Sequence, residues 1–235
     1  MSTPPDARRY APATERNREP ILAVLQRVLP PTGTVLEISS GTGEHAVFFA
    51  PRLAPRQWLP SDLNPEARHS IAAWREAAPA DNLHPPLALD AAAPVWPVET
   101  QPSETQPSET QPSDAQPSGD LPLALDWQRH PITALVNINM IHISPWAACL
   151  GLMAGAGRIL PPGGVLYLYG PYKQGGQHTA PSNAAFDASL QAQNPHWGVR
   201  DLETVVAAAE AEGLTLVETT VMPANNLSVV FRANP

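Results

Sequence analysis

Lysine and cysteine each occur once in the 235 residues, as Lys173 and Cys149. A single cysteine excludes an intramolecular disulfide and any paired-cysteine metal or redox centre, and it suits a reducing compartment. A single lysine, with the arginines scattered along the chain, leaves no concentrated basic face for a phosphate backbone, so no nucleic-acid partner is expected. No apolar run approaches the roughly 18 residues of a membrane span. The start, Met1-Ser2-Thr3-Pro4-Pro5-Asp6, lacks the apolar stretch of a secretory signal, so the expected location is cytoplasmic, with no membrane contact. The seven histidines never fall at a paired ligand spacing, and no metal site is expected. Charge is sparse too, at 15% of residues against about 25% in average globular chains.

Proline is in excess, with 29 residues, and much of the excess lies in one place. From Glu99 to Ser118 the chain runs as four pentads: Glu99-Thr100-Gln101-Pro102-Ser103, its repeats from Glu104 and Glu109, and Asp114-Ala115-Gln116-Pro117-Ser118. This period offers no apolar side chain larger than alanine, so it cannot bury a core, and it matches no solenoid repeat. It reads as a disordered acidic insertion at about residues 97–122, with the Pro-rich stretch from Pro94 and the Pro4-Pro5 start also expected to be disordered. Glu99, Glu104, Glu109, Asp114 and Asp120 account for five of the eight net negative charges, which leaves the remainder at −3. The length suits a single domain over 1–235 around that insertion. Nothing in the chain sets an oligomeric state.

The rest alternates between strand and helix patterns. Ile21 to Leu29 has helical spacing and stops at Pro30-Pro31-Thr32-Gly33. Thr34 to Ile38 is a β-branched strand that feeds a glycine turn, and Glu44 to Leu53 returns to helical spacing. Gln57 to Asp62 is a strand ending in an acid, Asn64-Pro65-Glu66 starts a helix, and Leu87-Ala88-Leu89-Asp90 repeats the strand ending in an acid. Ile132 to Asn139 is the strongest buried strand. Ser144 is expected to cap a helix with Pro145 at its first position, and Val165 to Tyr169 forms the next strand. Gly170 to Asn183 reads as a long polar loop, followed by helices over Ala184–Gln193 and Asp201–Glu212 and by closing strands over Leu214–Val221 and Leu227–Phe231. This order predicts an α/β fold: a doubly wound, mostly parallel sheet with helices on both faces and an antiparallel final strand.

The strongest chemical signal is Glu37-Ile38-Ser39-Ser40-Gly41-Thr42-Gly43-Glu44-His45, between a strand and a helix. Glycines there let backbone approach a ligand, and the helix start offers unpaired N–H groups. Gly41 to Ala46 fits the dinucleotide pattern G-x-G-x-x-A, with Asp62 19 residues after Gly43 as a ribose acid. Glu37 argues the other way: expected at the crevice mouth, it would repel a pyrophosphate and attract the ammonium of an amino-acid moiety. That favours S-adenosylmethionine, with Asp62 accepting from ribose hydroxyls and Asp90 from the adenine amino group.

Glu37 to Gly43, an acid after the second strand, and Leu160-Pro161-Pro162-Gly163-Gly164 before a later strand resemble class I, Rossmann-like S-adenosylmethionine-dependent methyltransferases. Ser39 departs from that pattern, in which many members carry a first glycine. More narrowly, Thr14-Glu15-Arg16-Asn17, Asn139 to Trp146, Gly170-Pro171-Tyr172-Lys173 and Met222 to Ser228 resemble the DUF938 family, which includes the methyltransferase-like 26 proteins. The resemblance covers about Tyr10 to Arg232 and implies a methyltransferase fold with a sulfonium cofactor. The pentads lie outside the family pattern.

The substrate side is argued by position. His142 follows the fourth strand, with Asn139 before it, and both are expected to face the methyl group; a neutral imidazole is a competent base. Tyr172 and His178, in the loop after the fifth strand, are the other catalytic candidates. Arg16 and Asn17, ahead of the first helix, are expected to fold over the cofactor as a lid, the arginine meeting a carboxylate. The expected activity is in-line methyl transfer to an oxygen, nitrogen or sulfur of a small molecule or modified peptide. Two alternatives stay open. One is an NAD-type oxidoreductase, for which Tyr169 and Lys173 stand at the Y-x-x-x-K spacing. The other is a non-catalytic cofactor-binding scaffold.

Overall fold

The computed structural model describes residues 6–99 and 129–235. The pentads after Glu99 and the Pro4-Pro5 start lie outside the described residues. In chain order the strands are β1 (Thr34–Ile38), β2 (Gln57–Asp62), β3 (Leu87–Ala88), β4 (Ile132–Ile138), β5 (Val165–Gly170), β6 (Tyr172–Gln174), β7 (Gln177–His178), β8 (Arg200–Asp201), β9 (Leu214–Met222) and β10 (Asn226–Ala233). The helices are α1 (Pro12–Val28), α2 (Glu44–Arg52), α3 (Pro65–Ala77), α4 (Trp146–Ile159), α5 (Pro181–Gln193) and α6 (Leu202–Glu210).

Seven strands form the main sheet in the order β3-β2-β1-β4-β5-β10-β9. β1 pairs parallel with β2 and β4, β2 with β3, and β4 with β5. β10 runs antiparallel to both β5 and β9, and the short link Pro223–Asn225 accounts for its direction against β9. The strand order reverses beside β1, so the carboxyl ends of β1 and β4 open a crevice there. Pro60 is tolerated within β2 because its neighbour β3 pairs only with Ser61 and Asp62.

Alternation along β5 sends Leu166 and Leu168 to one face and Val165, Tyr167 and Tyr169 to the other. On the first face α4 and α6 contribute Leu152, Met153 and Val205 to a core with Leu36 and Phe231. On the second, α1 and α2 contribute Ile21, Leu25 and Phe49 to a core with Trp58 and Val136. The doubly wound, mostly parallel sheet with an antiparallel final strand is therefore the observed fold.

Several boundaries differ from expectation. α1 starts at Pro12, not Ile21, and runs through Pro20. Pro12 needs no N–H at a helix start, and the bond lost at Pro20 is offset by burial of Ile21, Leu22 and Leu25. α4 begins after Pro145 with no side-chain cap, and the Ser144 hydroxyl is buried without a partner. The expected loop after Gly170 folds as a β6–β7 hairpin, joined by β8 into a three-stranded sheet. The stretch from Pro94 is ordered as far as Glu99: Trp96 is fully buried, and Glu99 accepts from the Trp96 amide (2.7 Å) and pairs with Arg158 (2.9 Å). Of the insertion expected at about 97–122, residues 97–99 are part of the described structure and the rest lie outside the described residues.

Candidate functional site

The turn after β1 uses left-handed backbone at Ser39 (φ 57°), Gly41 (φ 59°) and Gly43 (φ 90°). Ser39 thus adopts the glycine conformation without being glycine, at a cost of about 1 kcal/mol. The two glycines do different work. A Cβ on Gly43 would lie 2.8 Å from Ile71 Cα, so its absence lets α2 start against α3. A Cβ on Gly41 would meet nothing within 4 Å: that face of the turn is open.

β2 braces this turn. Ser40 N–H donates to Ser61 O (2.8 Å), Ser61 N–H to Ser40 Oγ (3.1 Å), and Gly41 N–H to Asp62 Oδ2 (2.9 Å). Asp62 Oδ1 accepts from Asn64 N–H (2.9 Å), so the carboxylate is fixed by one amide on each oxygen and keeps lone pairs for further donors.

Glu37 was expected at the crevice mouth and is instead 1% exposed beneath the turn. Its Oε2 accepts from Trp58 Nε1 (2.9 Å), because parallel register sets Glu37 and Trp58 on neighbouring strands. Burial pushes its carboxyl up to about 7, against hydrogen bonds from Trp58 and Ser40 that favour the ionised form. Asp90 lies beyond the end of β3, exposed, with Oδ1 accepting from Ala92 N–H (2.9 Å) as a turn cap.

Arg16 and Asn17 are not a free lid, because both are inside α1. Arg16 is exposed. Asn17 is buried, its Oδ1 2.8 Å from His45 Nε2 in the first turn of α2, and its side chain also bonds Tyr169 at the end of β5. The segment that does cross the turn is Arg9 to Ala11. Arg9 N–H donates to Ser70 Oγ (2.8 Å), Ser70 Oγ to Thr42 O (2.7 Å), and Ala11 N–H to Glu44 Oε2 (2.5 Å).

Across the crevice, Asn139 is left-handed (φ 68°) and its N–H donates to Tyr169 O (2.8 Å). His142 is 2% exposed, its ring edge-on to Phe186 of α5 at 5.6 Å between centroids, and its Nδ1 is buried without a partner. A Cβ on Gly170 would fall 3.0 Å from that nitrogen and 3.7 Å from Asn139 Oδ1, so the end of β5 brings the two side chains to one place. Burial, with Arg200 nearby, lowers His142 to about 4. Tyr172 was expected to face an acceptor, but it is fully buried in the core with Cys149, because β6 pairs with β8 and turns inward. His178 faces α5: its Nε2 lies 3.2 Å from Asp187 Oδ2, which also pairs with Lys173 Nζ (3.0 Å).

Sequence reading missed Phe186, Asp187 and Arg200, which reach this cluster from elements distant in the chain. The only available signal was Asp187 within an otherwise uncharged helix.

The model of the family described as "Protein of unknown function (DUF938)" matches residues 8–233. The chain belongs to the DUF938 family. In this DUF938 chain the four quoted strings meet at the carboxyl edge of the sheet. Asn17 and Asn226 both bond the Tyr169 side chain, Asn183 Nδ2 donates to Asn225 O (2.9 Å), and Gly170 lies against His142. Ala224 and Asn225 are left-handed here (φ 57° and 59°), a conformation that concentrates at functional edges.

Solved structures share the DUF938 chain's fold. The S-adenosylmethionine-dependent methyltransferase SibL in its apo form is 18% identical with a TM-score of 0.65, over 95% of this chain and 56% of that one. Human N-acetylserotonin methyltransferase in complex with SAM is 11% identical with a TM-score of 0.66, over 95% and 53%. An O-methyltransferase family 2 protein from Planctomyces limnophilus, in complex with apigenin, is 16% identical with a TM-score of 0.65, over 94% and 59%. The chain spans little more than half the length of each. Among the described residues, no helix is long and apolar enough to cross a membrane.

Proposed function

We propose that the chain binds S-adenosylmethionine at the glycine turn and transfers its methyl group to a small molecule or modified peptide. The observation that carries this reading is the open face of Gly41 beside the fixed carboxylate of Asp62, with buried Glu37 beneath. Gly41 and Gly43 would let the backbone approach the cofactor, and Asp62 would accept from its ribose hydroxyls. Asp90, at the exposed lip, would meet the adenine, and Asn139 would border the reacting end. Among the described residues Glu37 meets Trp58 and Ser40 but no cationic group, so an ammonium group brought close would restore its charged form. A pyrophosphate over the turn would approach that same carboxylate, and although the G-x-G-x-x-A spacing and Asp62 also suit a dinucleotide, the solved structures named above that share the fold are methyltransferases.

When bound, the cofactor supplies an electrophilic methyl group on a sulfonium. The chain's own contribution is to hold an acceptor atom in line with it. His142 is neutral at pH 7, with a low proton affinity, so it acts as a hydrogen-bond partner orienting the acceptor rather than as a strong base. Tyr172 takes no part in this reading. His178, engaged with Asp187, supports the hairpin. Arg16, exposed on α1, stays a candidate for the cofactor's carboxylate. One buried cysteine and one lysine support cytoplasmic work on something other than nucleic acid.

Incubating the protein with a cell extract and cofactor carrying an isotopically labelled methyl group, followed by mass spectrometry, tests the reading. A labelled product that is absent with the Asp62→Ala protein is expected. Label that never leaves the cofactor in any extract would contradict it.

A further inference from the structure

The turn that carries His142 is held from one side chain. Arg200 Nε donates to Ile141 O (3.0 Å), and its Nη2 donates to Ser144 O (2.7 Å) and His196 O (2.8 Å). The Ile141 and Ser144 carbonyls flank His142, so the guanidinium brackets the residue between them. Gly198 N–H donates to the carbonyl of His142 itself (3.0 Å). The guanidinium lies 5.8 Å from the centroid of the Trp146 ring, at the start of α4.

This bracket is anchored in turn. Val199 N–H donates to Asp187 Oδ1 (2.7 Å), and Asp187, 4% exposed, also pairs with Lys173 and His178. A chain of contacts therefore runs from α5 through residues 198–200 to the His142 turn. On its far side the ring meets Phe186 and the bare Cα of Gly170. Arg200 is the charged group facing His142 from this segment, while α5 and β5 offer it uncharged Phe186 and Gly170.

We propose that Arg200 is a positioning residue that sets the His142 ring for the methyl acceptor. This rests on the methyltransferase reading. The rigid planar fork of a guanidinium spreads its donors across the Ile141, Ser144 and His196 carbonyls; a lysine keeps the charge and loses that geometry.

The test is nitrogen-15 NMR of the histidine rings in the unmutated, Arg200→Lys and Arg200→Gln proteins, with His142→Gln identifying the signal. In the unmutated protein His142 stays neutral down to about pH 4. In Arg200→Lys the positive charge persists, so a rise of about one pH unit or more reports a ring released into water rather than a lost repulsion. Arg200→Gln is expected to shift at least as far. Affinity for S-adenosylhomocysteine is expected to stay within about threefold, since the glycine turn is braced separately by β2.

An unmoved His142 midpoint in folded Arg200→Lys, with S-adenosylhomocysteine binding intact, overturns the positioning role alone. Absence of that binding in the unmutated protein overturns the methyltransferase reading instead. Should neither variant fold, Arg200 Nε–H exchange in the unmutated protein decides: at least about tenfold slower than at exposed Arg16 is expected, and equal rates overturn the bracket.

Discussion

Gly41 and Gly43 share a backbone region but have different neighbours, and substitution separates their roles. Gly43→Ala forces a Cβ onto the Ile71 backbone and is expected to cost about 2 kcal/mol or more, read as a lowered melting temperature. Gly41→Ala meets only its left-handed conformation, at about 1 kcal/mol, yet fills the open face and is expected to weaken S-adenosylhomocysteine binding at least tenfold in calorimetric titration. Equal effects of the two on stability would contradict this division. Glu37 makes a second prediction. Its folded carboxyl holds a proton up to about pH 7, whereas the unfolded one releases it near 4.5. Its contribution to stability is therefore fully present below 4.5 and lost as pH rises through 7, on the order of 3 kcal/mol at about 1.4 kcal/mol per pH unit. Urea unfolding at pH 4.5 and 8 should show the stability of the unmutated protein relative to Glu37→Gln falling by this amount, the opposite contributions of buried His45 and His142 being common to both proteins and cancelling in the difference. Matching pH profiles would remove Glu37 from the account.

At the scale of elements, the stretch after β3 lies on α4 because α4 is bare where they touch. A Cβ on Gly151 would fall 2.2 Å from Ala91 O, and one on Gly155 would fall 2.2 Å from the Trp96 ring. Trp96→Ala is expected to cost about 3–5 kcal/mol in chemical unfolding, as a fully buried aromatic does. A cost below 1 kcal/mol would show that the stretch is peripheral. Proline density hid this element from sequence reading, since Pro94 and Pro97 flank Trp96, its one inserted aromatic residue. β1, β4 and β5 were legible because their apolar runs are local. The inward turn of Tyr172 was not, because it depends on pairing with Arg200, far along the chain. Asn17 and Glu37 were singled out as cofactor contacts, and both are buried. Their partners His45, Tyr169 and Trp58 are set by register and helix packing, which no spacing in the sequence displays.

For the whole molecule, the doubly wound, mostly parallel sheet and its antiparallel final strand were legible in the alternation of patterns, and the strand order that opens the crevice beside β1 came from the structure. What the chain pattern could not place was depth: which strand-end acids face the crevice and which lie beneath it. Glu99 belongs to the fold through Arg158, so a deletion that leaves it intact is the informative one. Removing residues 104–118 is expected to leave S-adenosylhomocysteine affinity unchanged; a loss of about tenfold or more would tie the pentads to the site. The central claim is that the glycine turn serves a sulfonium cofactor. Calorimetric titration of the unmutated protein with S-adenosylhomocysteine and, separately, with NADH tests it most directly. Saturable binding of the first and none of the second is the predicted result, and binding of NADH alone, or of neither, would contradict it.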